Sequence, residues 1–210
     1  MEASLKIKFD AQHFMKLLFA TTNQGKLKEV RRLLSGLNIE LLSTTDFEEL
    51  HNVVVEESGE TFKENALLKA QTYGDLVKVL TIAEDAGLVV DALDGQPGVK
   101  SARFGSDADQ RNQKLLKMME NIENRQARFI SVFCFYDPQT KKSEYFIGKI
   151  EGQISLKNKG ELGFGYDPLF IPEGCEQTFA ELGVEVKNKI SHRQQAIEKL
   201  KTLMLSLSGE

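Results

Sequence analysis

Cysteine is nearly absent from this chain. Its 210 residues hold only two, Cys134 and Cys175, too few for a disulfide framework, so a reducing compartment is expected. Proline is sparse as well, at 4, and together with only 16 glycines this argues against long disordered tracts. No apolar run reaches the roughly 18 to 20 residues that a membrane span needs. The N-terminus is charged within its first eight residues and lacks the apolar core of a secretory signal. Positive charge is not in excess either. Lys and Arg number 27 against 31 Asp and Glu, and a net charge of -4 argues against nucleic-acid backbone binding as the main activity. A small anionic ligand stays compatible, because a local basic pocket or a metal ion offsets the charge. These absences predict a soluble, cytoplasmic chain with neither a membrane nor a nucleic-acid partner.

What is present is 41% hydrophobic and 28% charged residues, enough for one domain, or one domain in two lobes, with a real core. Residues 1–14 carry no clear period and read as a short leader, with the domain running over 15–210. From Met15 the run Lys16-Leu17-Leu18-Phe19-Ala20 reads as a buried strand. Leu27, Val30, Leu33 and Leu34 then recur at helical spacing and end at Ser35-Gly36. A strand is expected over 39–42. Thr61 and Glu64 have the spacing of a capping box opening a helix to about Tyr73. Val79 to Ala83 reads as a buried strand that ends in the turn Glu84-Asp85-Ala86-Gly87. An amphipathic helix is expected over 107–122, and strands over 129–136 and 143–150 joined at Asp137-Pro138. A glycine-rich loop, 160–167, leads to Leu169-Phe170-Ile171. A last helix opens at Ser191, with Gln194 completing a capping box, and buries Ala196, Ile197, Leu200, Leu203 and Met204. Alternating strands and helices make the class α/β, and the hairpin-like connection makes a mixed sheet the expectation.

Five stretches carry candidate chemistry. Thr21-Thr22-Asn23-Gln24-Gly25-Lys26 joins a strand to a helix N-terminus, where outward N–H groups and the helix dipole favour an anion. It lacks P-loop spacing, and taken alone a polar turn with a solvated lysine is the simpler reading. Glu56, Glu57, Glu84 and Asp85 are acidic residues beside helices and strand ends. Magnesium commonly takes one or two protein carboxylates and completes its shell with water and phosphate oxygens. Glu56, Glu60 and Glu84 read as charges that cap helices and solvate loops. Asp85 stands apart, since a tight turn at Gly87 could aim its carboxylate into a pocket. Lys69 shares a helical stripe with Phe62, Ala66 and Tyr73, so its ammonium either snorkels outward or reaches a phosphate from the edge of the core. Ser191-His192-Arg193 places two cations in the first turn of a helix, against the dipole, with Lys187 and Lys189 just upstream. Gly163-Phe164-Gly165-Tyr166-Asp167-Pro168 alternates glycines and aromatic rings, which suits either a flat stacked ligand or a β-turn with core aromatics. No Ser/His/Asp order or Cys/His pair points to a covalent nucleophile, and His and Cys are too few for a zinc site.

Taken together, these stretches resemble a known family. Thr21 to Lys26, Glu57-Ser58-Gly59 with Thr61-Phe62 and Asn65-Ala66, Glu84-Asp85-Ala86-Gly87-Leu88, Pro97-Gly98 with Ser101-Ala102-Arg103-Phe104, Phe164-Gly165-Tyr166-Asp167-Pro168 and Ser191-His192-Arg193 follow the order seen in the inosine/xanthosine triphosphate pyrophosphatases. The resemblance implies hydrolysis of non-standard purine nucleoside triphosphates (ITP, dITP, XTP) to the monophosphate and pyrophosphate. It implies a two-lobed α/β fold with a long mixed sheet flanked by helices, an interlobe active-site cleft, a Mg²⁺ cofactor and a homodimer. By position, Thr21, Thr22, Asn23, Gln24, Gly25, Lys26 and Lys69 would hold the triphosphate. Asp85 would be the catalytic carboxylate and a metal ligand, with Glu57 as the second metal-side acid. Ala86, Phe164, Gly165, Tyr166, Asp167, Lys187, His192 and Arg193 would complete the nucleotide site, with Phe164 and Tyr166 as stacking surface. Two departures stand out: Ala86 occupies the place of a serine common in bacterial members, and Glu161-Leu162 interrupts a more glycine-rich approach to Phe164. A nucleotide-binding protein without catalysis and a septum-inhibitor-type pyrophosphatase acting on modified pyrimidines are the alternatives. Intact Asp85 counts against the first, and His192-Arg193 against the second.

Overall fold

The computed structural model describes residues 14–208, so the leader read over 1–14 lies, but for Phe14, outside the described residues. In chain order the elements are β1 (Met15–Phe19), α1 (Gln24–Leu33), β2 (Ile39–Ser43), α2 (Phe62–Val77), β3 (Leu80–Val90), α3 (Ala108–Met118), β4 (Gln126–Asp137), β5 (Lys142–Ile154), β6 (Phe170–Pro172), α4 (Phe179–Ile190) and α5 (His192–Ser208). The six strands form one sheet in the order β2-β1-β3-β4-β5-β6. β1 runs parallel to both its neighbours, with Leu17 opposite Leu41 on one side and Leu80 on the other, whereas β5 and β6 are antiparallel. The sheet is therefore mixed, as the sequence predicts.

The chain divides into two compact units. The first comprises the chain up to Asp85, Val132–Ile147 and the chain from Ala196, and the second comprises Ala86–Ser131 and Gly148–Gln195. In the first unit β1 is flanked on both edges, and Leu17, Leu18 and Phe19 are all fully buried. A strand covered on both faces has no use for polar alternation, which explains its continuous apolar run. Leu17 and Phe19 pack with Leu27, Val30 and Leu33 of α1, Ile82 of β3, and Ala196, Ile197, Leu200 and Met204 of α5. The second unit has its own core, in which Phe129, Phe170 and Phe179 meet with ring centroids 4.7 to 6.3 Å apart. Leu88, Leu115, Tyr166 and Leu169 complete it.

α2 forms where its capping box predicts, and runs four residues further than Tyr73. Thr61 Oγ1 accepts from Glu64 N at 3.1 Å, and Glu64 Oε2 accepts from Thr61 N at 3.1 Å. Ala66 and Ala70 are fully buried, and the Tyr73 hydroxyl donates to Val53 O at 3.1 Å. This helix carries Asn65 and Lys69, so the box at its N-terminus also anchors those two side chains. Thr61→Ala is expected to cost about 1 kcal/mol. A thermal melt should show Tm falling by about 2–4 °C for a chain of this size.

Two expectations need correction. Glu84-Asp85-Ala86-Gly87 is not a turn: all four lie inside β3, which runs unbroken from Leu80 to Val90. The strand is paired with β1 and β4, and that central position overrides the weak strand preference of acidic, Ala and Gly residues. The helix α4 is absent from the sequence reading, although Thr178 and Glu181 form a capping box of the same kind as Thr61 and Glu64.

Candidate active site

The first unit gathers the candidates expected to handle phosphate. Asn23 caps α1, its Oδ1 accepting from Lys26 N at 3.1 Å, while Asn23 N donates to Thr21 Oγ1 at 3.2 Å. Gln24, Gly25 and Lys26 thus form the first helical turn; the cap takes the Lys26 N–H, and the N–H groups of Gln24 and Gly25 lie in the turn that has no intrahelical acceptors. Thr22, Asn23 and Gln24 are exposed, and Thr21, Gly25 and Lys26 half-buried. Lys26 is not the solvated lysine of the simpler reading: its Nζ lies 3.2 Å from Glu84 Oε2, and the Glu84 side chain is wholly buried. Glu84 therefore does not solvate a loop. Glu56 and Glu60 are exposed, as expected.

Beside this pair, Lys69, Glu57 and Asp85 come together. Lys69 Nζ donates to Glu57 Oε1 and lies 3.8 Å from Asp85 Oδ1. Its side chain is only 12% exposed, so the ammonium points inward rather than snorkelling. Asp85 Oδ2 accepts from Asn65 Nδ2 at 3.0 Å. Burial pushes the Asp85 carboxyl above its ordinary range; the Lys69 charge opposes this and the Glu57 charge adds to it. A carboxylate so perturbed, among specific charged partners, marks a functional-site candidate. Ala86 follows on β3 and is half-buried. Sequence reasoning missed Glu84 and gave Asn65 no role. The first could have been found by extending the strand of Val79 to Ala83, and the second by its place in the stretch that carried the resemblance.

The second unit builds a different cluster. Asp167 Oδ2 accepts from Phe164 N at 2.8 Å and from Lys187 Nζ at 2.7 Å. Lys187 and Asp167 form a buried ion pair, their side chains 4% and 3% exposed. Lys187 Nζ also lies 4.2 Å from the centre of the half-buried Phe164 ring, and the Arg193 guanidinium 5.6 Å from it, both within cation–π range. Gly163 sits at φ +85, and any Cβ there would strike the Asp167 carboxylate, so the loop needs glycine at this position. Asn112 Nδ2 donates to Gly165 O at 3.2 Å. His192 is buried and stacked on Phe129, with ring centroids 4.7 Å apart and planes 12° apart. The first two side chains of α5, His192 and Arg193, thus each lie against an aromatic ring rather than in water. Lys189 is exposed and stays outside this group.

Tyr166 corrects another expectation. It is buried in the core of the second unit, and its hydroxyl donates to Ser101 O at 2.9 Å. Its ring is therefore core, and Phe164 alone of the two aromatics offers a partly open face.

Both clusters gain context from known proteins. Residues 17–203 match the family model described as Ham1 family. The chain belongs to the Ham1 family. It is 43% identical over 198 residues to the dITP/XTP pyrophosphatase of Aquifex aeolicus (strain VF5), covering 89% of this chain and 95% of that protein. A dITP/XTP pyrophosphatase of Listeria monocytogenes serotype 4b (strain F2365) is 44% identical over 190 residues, covering 88% of this chain and 92% of the relative. Among solved structures, a HAM1 protein from Coxiella burnetii superposes with a TM-score of 0.84 at 34% identity, covering 91% of this chain and 99% of that one. The fold that the motifs implied is thus a Ham1 fold, a mixed sheet flanked by helices. Among the described residues, no helix of this Ham1 chain is long and apolar enough to cross a membrane.

Proposed function

We propose that this Ham1 protein hydrolyses non-standard purine nucleoside triphosphates such as ITP, dITP and XTP to the monophosphate and pyrophosphate. The observation that carries the reading is Asp85: a buried carboxylate with a raised pKa, hydrogen-bonded by Asn65 and facing Lys69. The names borne by its relatives agree with this chemistry. Asp85 would take a proton from the water that attacks the α-phosphorus. A carboxylate whose pKa is raised by burial is a stronger base than an ordinary one. Lys26 and Lys69 would offset charge building on the departing pyrophosphate, and the first turn of α1 would donate N–H groups to the phosphate chain.

The donor set fits a divalent cation. Glu57 and Asp85 both turn oxygens to one ammonium group, so two carboxylates already converge on a positive charge. One or two carboxylates plus phosphate oxygens is a common magnesium shell, and Glu57 and Asp85 would hold the ion. When bound, Mg²⁺ would supply Lewis-acid neutralisation of the phosphate oxygens. In the second unit, Phe164 would stack the base, while Lys187, His192 and Arg193 would read its polar edge. Asp167 would set Lys187 and the Phe164 loop. On the family resemblance we also assign the protein to the cytoplasm and to a homodimer, the latter testable by light scattering after size exclusion.

Pyrophosphate release from ITP and XTP, set against silence with ATP, tests the whole reading. No release from any non-standard purine nucleotide would sink it in favour of binding without catalysis. Release from modified pyrimidine nucleotides instead would favour the septum-inhibitor-type enzyme. Lys69→Ala separates phosphate binding from a packing role. Isothermal titration is expected to show triphosphate affinity falling by about 1 to 3 kcal/mol, the range for an uncompensated charged hydrogen bond. Monophosphate affinity should be little changed, and equal losses for both ligands would make Lys69 merely structural.

A further inference from the structure

One buried amide ties together the parts of the first cluster. Asn65 is fully buried in the first turn of α2 and has both ends of its side chain engaged. Nδ2 donates to Asp85 Oδ2 at 3.0 Å, and Oδ1 accepts from Gly59 N at 2.8 Å. One end therefore holds β3 and the other holds the segment that carries Glu57. The approach is close. A Cβ on Gly59 would lie 2.8 Å from Asn65 Oδ1 and 2.7 Å from Glu64 Cβ, so only glycine lets the segment come so near. The helix end that presents Asn65 is itself fixed by the Thr61–Glu64 capping box.

The geometry distinguishes the two oxygens of Asp85. Oδ2 is bound by the amide, and Oδ1 faces Lys69 Nζ at 3.8 Å. Without a donor at Oδ2 the carboxylate could rotate about its last torsion, which is broad and roughly two-fold. The Gly59 contact adds a second constraint, because Glu57 lies two residues earlier and reaches the same ammonium. We propose that Asn65 is a positioning residue, which orients the Asp85 carboxylate and registers the Glu57 segment against it. This rests on the reading of Asp85 as the catalytic carboxylate.

Asn65→Leu keeps much of the volume and removes both hydrogen bonds. Steady-state kinetics with ITP should show kcat lowered about 10²-fold, the loss expected when a reacting group is misplaced by about 1 Å. KM should be unchanged, the pattern of an interaction that matters in the transition state and not in ground-state binding. An unchanged kcat, or a loss confined to KM, overturns the proposal. A second measurement needs neither turnover nor a folded leucine variant. In the ¹H–¹⁵N spectrum of the metal-free protein, Asp85→Ala should move one Asn65 side-chain amide proton upfield and leave the Gly59 amide signal in place. If the Asn65 protons do not move, the bridge is absent and the proposal fails. A parent enzyme inactive on ITP would overturn the functional reading instead, and the spectrum would still report on the bridge.

Discussion

Asp85→Asn is expected to lower ITP turnover by about 10²- to 10⁴-fold, the span over which a positioned general base accelerates a reaction. Nucleotide binding should persist, because the change removes a charge but almost no volume, and an amide oxygen can still accept the Asn65 hydrogen bond. The same variant should melt no lower than the parent. In the folded chain Asp85 holds its proton to a higher pH than in the unfolded chain, chiefly because burial penalises the charged form. At neutral pH, with the carboxylate ionised in the unfolded chain, this difference works against folding. It is relieved as pH falls through the raised pKa. A neutral amide escapes the penalty at every pH. Melts without added divalent ion should therefore show the variant ahead at neutral pH, with the gap closing as pH is lowered. A variant that is at once more stable and inactive has the signature of a functional group kept at the expense of stability. Turnover within about tenfold of the parent would move the base to another carboxylate, with Glu57 next in line.

How much of this was legible in the sequence depended on whether the deciding forces were local. Leu17-Leu18-Phe19 reads as a buried strand because burial on both faces leaves a continuous apolar run, and it is one. The Thr61–Glu64 box reads as a helix start because its two hydrogen bonds close within three residues. Glu84 and Asp85 read as a turn because nothing nearby in the chain explains carboxylates in a central strand. Their partners, Lys26 and Lys69, come from α1 and α2 and can be known only once the sheet is assembled. α4 is hidden for a different reason. Gly183, at φ +80 and ψ 172, breaks the helical path within it, so the apolar period that reveals a helix is interrupted. Tyr166 shows the limit of composition. The alternation of glycine and aromatic residues suggests two rings for stacking, but whether a ring faces outward or enters the core depends on its neighbours. Here Phe164 meets two cations while Tyr166 meets Ser101 and the core. The candidate residues are thus legible by their order along the chain. Their pairing is not, since each ion pair joins distant segments.

The buried pair Lys187–Asp167 offers a test that separates folding from recognition. Asp167→Asn removes the carboxylate that faces the buried Lys187 ammonium, and Lys187→Met removes the ammonium that faces the buried Asp167 carboxylate. Either single change is expected to cost about 3 to 5 kcal/mol, because removing one member of a buried ion pair leaves the other charge less compensated in a low-dielectric site. At about 2–4 °C per kcal/mol for a chain of this size, Tm should fall by about 6–20 °C. The double change, Lys187→Met with Asp167→Asn, removes both charges and should recover most of that loss, while the asparagine oxygen can still accept from Phe164 N. Recognition should not recover with it. A donor at Lys187 is assigned to the 6-oxo edge of inosine and xanthine, where adenine presents an amino group instead. An enzyme that depends on such a donor discriminates strongly, because a mismatched base leaves buried polar groups unpaired. The stable double variant should therefore lose about 1 to 3 kcal/mol of transition-state binding for ITP but little for ATP, narrowing the ratio of their kcat/KM values. Melting curves on the three variants and kinetics with both nucleotides decide the two parts separately. Single variants that melt with the parent would show the pair to be energetically idle. A double variant that keeps the parental ITP/ATP ratio would remove Lys187 from base recognition and leave that task to His192 and Arg193.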